Sequence, residues 1–215
     1  MYVQPSFGET DPEKLLALAA QYPFATVVTP GADELWVSHV PLLVRRRNGA
    51  LVLAGHLARA NGHWEAMARG DGGAPTTAIF HGPHAYVSPT WYATSPAVPT
   101  WNYVVVHAAG QARVHHDGDQ LAELLRELTE LYEGRGAGAW SPDGLPDDFA
   151  QQMRGAIVGF EIVVERLEGK VKLSQNRSAE DRRGVVAQLE AQTAGASRAV
   201  AALMREYEPA ESSES

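Results

Sequence analysis

The chain has 215 residues, of which 45 % are hydrophobic and 20 % charged, a balance typical of a folded globular protein rather than a disordered one. Its 18 Lys and Arg against 26 Asp and Glu give a net charge of −8, which opposes nucleic-acid binding unless basic residues are segregated. Cysteine is absent, which excludes disulfides, thiolate zinc sites, iron–sulfur clusters and cysteine nucleophiles.

The first third of the chain predicts one helix followed by short β-strands. Asp11 is expected to cap a helix that begins at Pro12 and ends near Tyr22. Asn48 and Gly49 predict a tight hairpin, because both central residues of such a turn take positive φ. The strands are predicted at residues 24–29, 35–46 and 50–53, and a short helix at 60–67.

The rest of the chain predicts two long antiparallel strands, a helical segment, a last strand and a helical tail. The strands are predicted at residues 76–87, with a break at Gly82 and Pro83, and at 101–115. Asp117 or Asp119 is expected to cap a helix that ends near residue 132. A loop at 133–146, a helix at 149–154, a strand at 157–167 and a tail helix from Ser178 follow. This order predicts a single α+β domain over residues 1–207, with residues 208–215 frayed.

Aromatic residues and histidines concentrate in the middle of the chain, where three of the five tryptophans lie. Polar side chains among aromatics suit a planar ligand with a charged tail. His81 and His84 have the spacing of a metal-binding pair on a helix. Gly82 and Pro83 break a helix, however, and no acidic residue lies nearby, so we expect no metal site.

Residues 55–64 read as a strand, a turn and a helix start. Arg59 and the helix start near Asn61 fit an anion site, with His56 in the turn. The same residues also fit a purely structural role, with Asn61 as a helix cap and Arg59 on the surface. Trp91 and Trp101 similarly fit either a barrel core or a ligand-facing loop.

Four ordered segments resemble the PaiB family of FMN-binding negative transcriptional regulators. They are Gly55-His56-x-Ala58-Arg59-Ala60-Asn61, Gly82-Pro83-x-Ala85-Tyr86-Val87-Ser88-Pro89-x-Trp91-Tyr92, Pro99-Thr100-Trp101-Asn102-Tyr103 and Lys172-Leu173-Ser174-Gln175-Asn176-Arg177. The resemblance extends over nearly the whole chain. Gly62 and Ser178 stand where family members often have proline, and both are acceptable at a helix start.

The resemblance implies an antiparallel FMN-binding split β-barrel with flanking helices, and a homodimer that holds each flavin in a groove between subunits. By position, it implies that Arg59 and Asn61, with His56, hold the phosphate. It further implies that Trp101, Asn102 and Tyr103 line the isoalloxazine, that Lys172, Ser174, Gln175, Asn176 and Arg177 close the site, and that Ser88 and Trp91 are additional candidates.

Three functions are compatible with these expectations. The first, which the resemblance favours, is a negative transcriptional regulator that acts on DNA directly or through a regulatory protein. The second is an FMN-dependent oxidoreductase acting on a small molecule, favoured by the acidic net charge and the lack of a visible DNA-binding module. The third is a haem-binding split barrel. No signal peptide and no run of ~20 apolar residues is found, so we expect a cytoplasmic protein without membrane contact.

Overall fold

Eight β-strands and six α-helices occur in the part of the chain that the computed structural model describes, which is residues 1–70, 72–115, 118–136 and 138–207. The strands are β1 (Gly8–Glu9), β2 (Phe24–Pro30), β3 (Leu35–Pro41), β4 (Leu43–Arg47), β5 (Ala50–Ala58), β6 (Ala74–Val87), β7 (Thr100–His115) and β8 (Ile157–Lys172). The helices are α1 (Pro12–Gln21), α2 (His63–Met67), α3 (Gly118–Glu133), α4 (Asp147–Gly155), α5 (Ala179–Glu190) and α6 (Gly195–Glu206). None of these helices is long and apolar enough to cross a bilayer.

The strands form one sheet in the order β3-β2-β6-β7-β8-β5-β4, with β1 paired to β8. The pairings β2–β3, β2–β6, β4–β5, β5–β8 and β1–β8 are antiparallel. The predicted hairpin between β4 and β5 is present, with φ of 50° at Asn48 and 80° at Gly49. This is the turn that connects antiparallel strands with the least distortion of their twist.

Two compact units divide the described chain. Unit 1 comprises Met1–Leu18, His81–Val106 and the chain from Glu168 onward, and unit 2 comprises Ala19–Phe80 and His107–Leu167. Strands β6, β7 and β8 each contribute residues to both units. The prediction of a single domain stays a prediction.

Helix α3 packs against the sheet of unit 2 through one apolar stripe. Leu121, Leu124 and Leu128 are spaced by three and four residues, so they lie on one face of the helix. All three are buried and form a cluster with Leu43 of β4 and Ala54 of β5. The segment inserted between β7 and β8 is thereby fixed to the edge of the sheet that ends in β4.

Helices α5 and α6 pack against each other in unit 1, around the buried residue Arg182. The Arg182 guanidinium donates to the backbone oxygens of Leu173 and Met204, both at 2.6 Å, and of Tyr207 at 3.3 Å. Ser178 caps α5 as predicted, with its hydroxyl accepting from the backbone N–H of Asp181 at 3.1 Å. Since a helix end leaves carbonyls unpaired, Arg182 satisfies those at the end of α6.

Several predicted boundaries were wrong, because contacts with residues distant in the chain determine where these strands end. The strand predicted at residues 35–46 is two strands, because Pro41 has no N–H and buried Leu42 donates instead to the oxygen of Pro23 at 3.0 Å. Strand β5 continues to Ala58, so His56 lies in a strand and not in a turn. Strand β8 continues to Lys172, and the tail is two helices. Strand β1 was not predicted.

Strand β6 is continuous across Gly82 and Pro83, where a break was predicted. Gly82 and Pro83 are both buried, so the alternation of buried and exposed residues shifts by one position there. The exposed residues are His81 before this point and His84 and Tyr86 after it. Such a shift in alternation is typical of a β-bulge, which re-aims side chains without ending a strand. Asp119 lies inside the first turn of α3 and does not cap it, whereas Asp117 and residues 208–215 fall outside the described residues.

Candidate functional site

An open pocket of about 340 Å³ lies on unit 1 between the exposed faces of β6 and β7. Its lining includes His84, Trp101, Tyr103 and Val105. Trp101 is 52 % exposed, although large aromatic side chains are normally buried. The ring of Tyr86 meets it edge-on at 6.0 Å between centroids, and the ring of His84 lies at 6.1 Å. The core alternative for Trp101 is therefore wrong, and we call this the aromatic pocket.

Two lysines lie beside the aromatic pocket at the end of β8. The Lys170 ammonium is 5.5 Å from the ring centre of Tyr103, and that of Lys172 is 6.0 Å from the same ring. Lys172 Nζ also donates to the hydroxyl of Thr100 and to the oxygen of Trp101. Partial burial and then the charge of Lys170 lower the pKa of Lys172. This edge of the pocket is positively charged and suits an anionic or electron-rich ligand atom.

Asn102 and Ser174 are buried and bond to each other, although both were predicted to contact the flavin. The Ser174 hydroxyl lies 3.0 Å from Asn102 Nδ2, and the same amide nitrogen lies 3.4 Å from Met204 Sδ. In a strand successive side chains point to opposite faces, so Asn102 points inward where Trp101 and Tyr103 point outward. In this structure Asn102 and Ser174 support the pocket from behind.

The residues that follow β8 form a tight turn beside these two. Gln175 folds back on the chain: its Oε1 accepts from the N–H of Leu173 at 2.7 Å and its Nε2 donates to the oxygen of Val171 at 2.5 Å. Asn176 is exposed. The Arg177 guanidinium stacks 4.4 Å above the ring of Tyr92. Of this predicted group, the structure therefore leaves Asn176 most accessible to a ligand.

The loop between β6 and β7 is fastened to the start of α5. Asp181 accepts from the N–H of Thr94 at 3.0 Å and from its hydroxyl at 2.6 Å. These hydrogen bonds, above all that of the Thr94 hydroxyl, lower the pKa of Asp181. Gly184 is required here, because a Cβ at this position would lie 2.3 Å from the carbonyl oxygen of Trp91.

Ser88 and Trp91 lie at the start of that loop. The Ser88 hydroxyl accepts from the N–H of Thr90 at 3.2 Å and caps a single turn of 3₁₀ helix that ends at Trp91. Trp91 is half-buried. Both residues have a structural role in the loop, and neither lines the aromatic pocket.

Arg59 lies in unit 2 and connects the end of β5 to the start of β8. Its Nε donates to the oxygen of Gly155 at 2.8 Å and its Nη2 to that of Ile157 at 3.1 Å, while its backbone oxygen accepts from Trp64 Nε1 at 2.9 Å. A guanidinium has five N–H donors, so further donors remain for an anion. Arg59 thus connects two segments of unit 2 and keeps donors that could bind a phosphate.

Asn61 belongs to a buried polar network with two residues that sequence reasoning missed. Its Nδ2 donates to Ser38 Oγ at 3.1 Å, its Oδ1 accepts from the N–H of His63 at 3.1 Å, and Ser38 Oγ lies 2.8 Å from His63 Nδ1. Burial lowers the pKa of His63 to about 4. Ser38 and His63 are 25 positions apart, so the sequence contained no sign of their contact. The only local signal was the spacing of Asn61 and His63, because an asparagine side chain often accepts from the N–H two residues on.

The helix predicted to begin near Asn61 begins at His63 and has only five residues. A helix this short carries little dipole, so an anion bound here would depend on the Arg59 guanidinium more than on α2. His56 is half-buried in β5, burial lowers its pKa, and its Nδ1 is buried without a hydrogen-bond partner among the described residues. No group of three or more histidines and acids in the described ranges is arranged to hold a metal ion.

The predicted site residues therefore divide between the units. His56, Arg59 and Asn61 lie in unit 2, whereas the others lie in unit 1. Within unit 1, the structure brings together Trp101, Tyr103 and Lys172 at the aromatic pocket, with Asn102 and Ser174 beneath them. An aromatic wall with a neighbouring ammonium fits a flat ring that carries hydrogen-bond-accepting oxygens, and the Arg59 guanidinium fits a phosphate.

Comparison with known proteins agrees with this chemistry. Residues 1–166 match the protein family described as "Putative FMN-binding domain". The chain is 32 % identical over 206 residues to a protein of Bacillus subtilis (strain 168) named "Protease synthase and sporulation protein PAI 2". That alignment covers 96 % of this chain and 97 % of the Bacillus protein.

Two solved structures share the fold. The flavocytochrome Anf3 from Azotobacter vinelandii aligns with a TM-score of 0.59 at 17 % identity, covering 79 % of this chain and 72 % of that one. The FAD and heme binding protein from Mycobacterium smegmatis aligns with a TM-score of 0.58 at 17 % identity, covering 82 % and 78 %. These likenesses, which concern the fold alone, confirm the predicted α+β split-barrel class with its antiparallel sheet.

Proposed function

Because the chain belongs to the FMN-binding domain family matched above, we propose that it is an FMN-binding homodimer that acts as a negative transcriptional regulator. The family match confirms the predicted resemblance and the predicted cofactor, FMN. The observation that carries the regulatory proposal is the similarity to the Bacillus sporulation protein along nearly the full length of both chains. Bound FMN supplies reversible redox chemistry, which would let such a regulator sense a reduced or oxidised small molecule.

We propose that the aromatic pocket receives the isoalloxazine ring. Trp101 and Tyr86 are exposed and already meet edge-on, so a flat ring placed against Trp101 would bury apolar area that now faces water. Lys172 has three N–H donors and uses two of them on Thr100 and Trp101. Its remaining donor would be available to a carbonyl oxygen of the flavin. Asn102 and Ser174 would hold β7 and the end of β8 in place from the buried side.

We propose that Arg59 binds the FMN phosphate with the donors that Gly155 and Ile157 leave unused. Asn61 and His56 would act beside it: Asn61 fixes the backbone after Arg59 through its bonds to Ser38 and His63. His56 is neutral at pH 7 because burial lowers its pKa, and it would donate or accept a hydrogen bond without adding charge.

The proposal of a homodimer is supported by an exposed apolar face on β2 and β3 in unit 2. Phe24, Leu35 and Val37 are all more than half exposed, and the register places them on one face of the hairpin, because Phe24 pairs with Pro41, Val37 with Val28 and Leu35 with Pro30. Leu35 and Val37 are next to each other on that face, and Phe24 lies at its other end. Exposed apolar patches on an edge strand mark association sites. Sedimentation should give twice the chain mass of 23.2 kDa. Val37→Lys should shift it to the monomer, and Val98→Lys, at an exposed residue of unit 1, should not.

A route to DNA through the basic run at residues 45–47 finds little support. Arg45 Nε lies 2.8 Å from a carboxylate oxygen of Glu127, and Arg47 Nη1 lies 3.2 Å from one of Glu161. An arginine that is already paired with a carboxylate neutralises a DNA phosphate less effectively, so fewer counterions are released from the DNA. Regulation through a protein partner is therefore favoured over direct contact by this run.

The second candidate function is an FMN-dependent oxidoreductase acting on a small molecule. The observation that favours it is the openness of the aromatic pocket, whose exposed Trp101 leaves room for a second molecule to reach a ring bound there. The net charge of −8 also agrees with a protein that does not contact DNA.

One set of experiments separates the candidates. Deletion of the gene should raise a defined set of transcripts, and wild-type protein should restore repression whereas the Trp101→Ala variant should not. Unchanged transcripts, together with multiple turnovers of FMN reduction by a nicotinamide donor and reoxidation by a small acceptor, would establish the enzyme instead. The absorbance spectrum of the purified protein distinguishes flavin from haem, and a haem spectrum without flavin would refute both FMN proposals.

A further inference from the structure

A second pocket of about 230 Å³ lies on unit 1 between α5 and α6, away from the residues assigned above to the aromatic pocket. Its lining consists of Arg182, Arg183 and Arg205 together with Val186, Ala187 and Met204. We call it the arginine groove. It lies beyond residue 166, where the match to the FMN-binding domain family ends.

The charge of the arginine groove is positive. Arg182 is buried, and its guanidinium is bound to the backbone oxygens of Leu173 and Met204, so it forms the floor of the groove. Arg205 forms a two-pronged pair with exposed Glu190, at 2.8 and 3.0 Å from the carboxylate oxygens. Arg183 is exposed, and none of the lining residues is acidic. The exposed guanidinium of Arg183, in a lining without an acidic residue, favours an anionic ligand.

The other wall of the groove is apolar. Val186 and Met204 are buried residues of α5 and α6, and Ala187 adds a further methyl group. A volume of about 230 Å³ corresponds to roughly eight groups the size of a water molecule, at ~30 Å³ each. A guanidinium matches a carboxylate geometrically through two parallel N–H···O bonds. We propose that the arginine groove binds a small aliphatic carboxylate, with its charge at Arg183 and its chain against Val186 and Met204.

The groove is connected to the aromatic pocket by direct contacts. Met204 lines the groove, and its sulfur lies 3.4 Å from the side-chain amide nitrogen of Asn102. Asn102 is adjacent to Trp101 in β7, and Arg182, also in the lining, binds the oxygen of Leu173 next to Ser174. An occupant that shifts Met204 would therefore alter the support beneath the aromatic pocket. By linkage, FMN and the carboxylate would change each other's affinity by the same factor.

Calorimetric titration of the full chain saturated with FMN tests the site, with hexanoate as the probe. Saturable binding is expected, with a dissociation constant below about 10 mM. Arg183→Gln should weaken it about tenfold, as expected for loss of a charge-assisted bond. Glu190→Gln should strengthen it by releasing Arg205. Arg198→Gln, at an exposed arginine of α6 outside the groove, should leave it unchanged.

Neutral hexanamide and inorganic phosphate complete the test. Weaker binding of both than of hexanoate supports a site that recognises charge and chain together. Equal binding of phosphate and hexanoate would overturn the proposal by showing an anion site without apolar recognition. Absence of hexanoate binding, or equal weakening by Arg183→Gln and Arg198→Gln, would also overturn it. Circular dichroism of each variant confirms that a loss of binding is not a loss of fold.

Discussion

Asn102 and Ser174 lie 72 positions apart in the chain and form a buried hydrogen-bonded pair: the Ser174 hydroxyl is 3.0 Å from Nδ2 and 3.2 Å from Oδ1 of Asn102. Ser174 adopts a φ of 61°, which lies in the left-handed region that few residues other than glycine and asparagine occupy. A non-glycine residue there costs roughly 1–2 kcal/mol. The hydrogen bond to Asn102 offsets that strain, which is why a serine rather than a glycine can occupy this position.

Substitutions at Ser174 should therefore rank in an order that volume alone does not predict. Ser174→Ala removes the hydroxyl and keeps the strain, so it should cost about 1–3 kcal/mol of unfolding free energy. Ser174→Gly removes both, so it should be about 1 kcal/mol more stable than the alanine variant. Urea unfolding of the two variants and the wild type measures this. An alanine variant at least as stable as the glycine variant would show that the backbone strain is unimportant.

Trp101→Ala should weaken FMN binding with little effect on stability. The side chain is 52 % exposed, so its removal should change the unfolding free energy by less than about 1 kcal/mol. Loss of a stacking partner should raise the dissociation constant of FMN about tenfold or more and reduce the quenching of flavin fluorescence. Trp140→Ala is a matched control, because Trp140 is also 52 % exposed but lies in unit 2. Equal effects of the two substitutions on FMN would remove Trp101 from the site.

Local patterns predicted some elements almost to the residue. Strand β7 begins one residue before its predicted start and ends at its predicted end. The prediction was accurate because Val104, Val106 and Ala108 alternate with less buried residues along the strand. The length of β5, by contrast, could not be predicted locally. Its residues up to Ala58 pair with β8 down to Ile157, so a partner about a hundred positions away determines where the strand ends.

The candidate site shows the same division. The family resemblance implied that Trp101 and Tyr103 line the flavin ring, and the structure places both at one pocket. Asn102 was predicted as a flavin contact, yet strict alternation in β7 already implied an inward side chain between two outward ones. The buried pair of Ser38 and His63 was missed, because a polar residue in a strand pattern gives no signal of a partner that only the tertiary fold supplies.

Arg59→Ala should discriminate between FMN and riboflavin, which differ only in the phosphate. FMN affinity should fall about tenfold to a hundredfold, the equivalent of a charge-assisted hydrogen bond, while riboflavin affinity stays the same. The comparison is needed because Arg59 also binds the oxygens of Gly155 and Ile157, so the variant should lose some stability as well. An equal loss for both ligands would mean that Arg59 acts only by holding the backbone.

His63 should make stability depend on pH between about 4 and 6.5. Burial lowers the pKa of His63 to about 4 in the folded protein, whereas an unfolded histidine titrates near 6.5. Between these values the unfolded chain binds a proton that the folded chain does not, so the unfolding free energy falls as the pH falls. The contribution is complete above pH 6.5, is lost progressively down to about pH 4, and does not change further below that.

The size of this effect is bounded by the shift in pKa, which corresponds to at most about 3 kcal/mol. His63→Gln keeps a donor and an acceptor near Ser38 but has no titratable ring, so its unfolding free energy should fall less than that of the wild type between pH 6.5 and 4. Taking the difference between the two proteins cancels the contribution of His56, whose pKa burial also lowers. His39→Gln, an exposed histidine on the same strand as Ser38, controls for the substitution itself. Parallel curves for wild type and His63→Gln across this range would show that the buried network of Asn61, Ser38 and His63 is not sensitive to protonation.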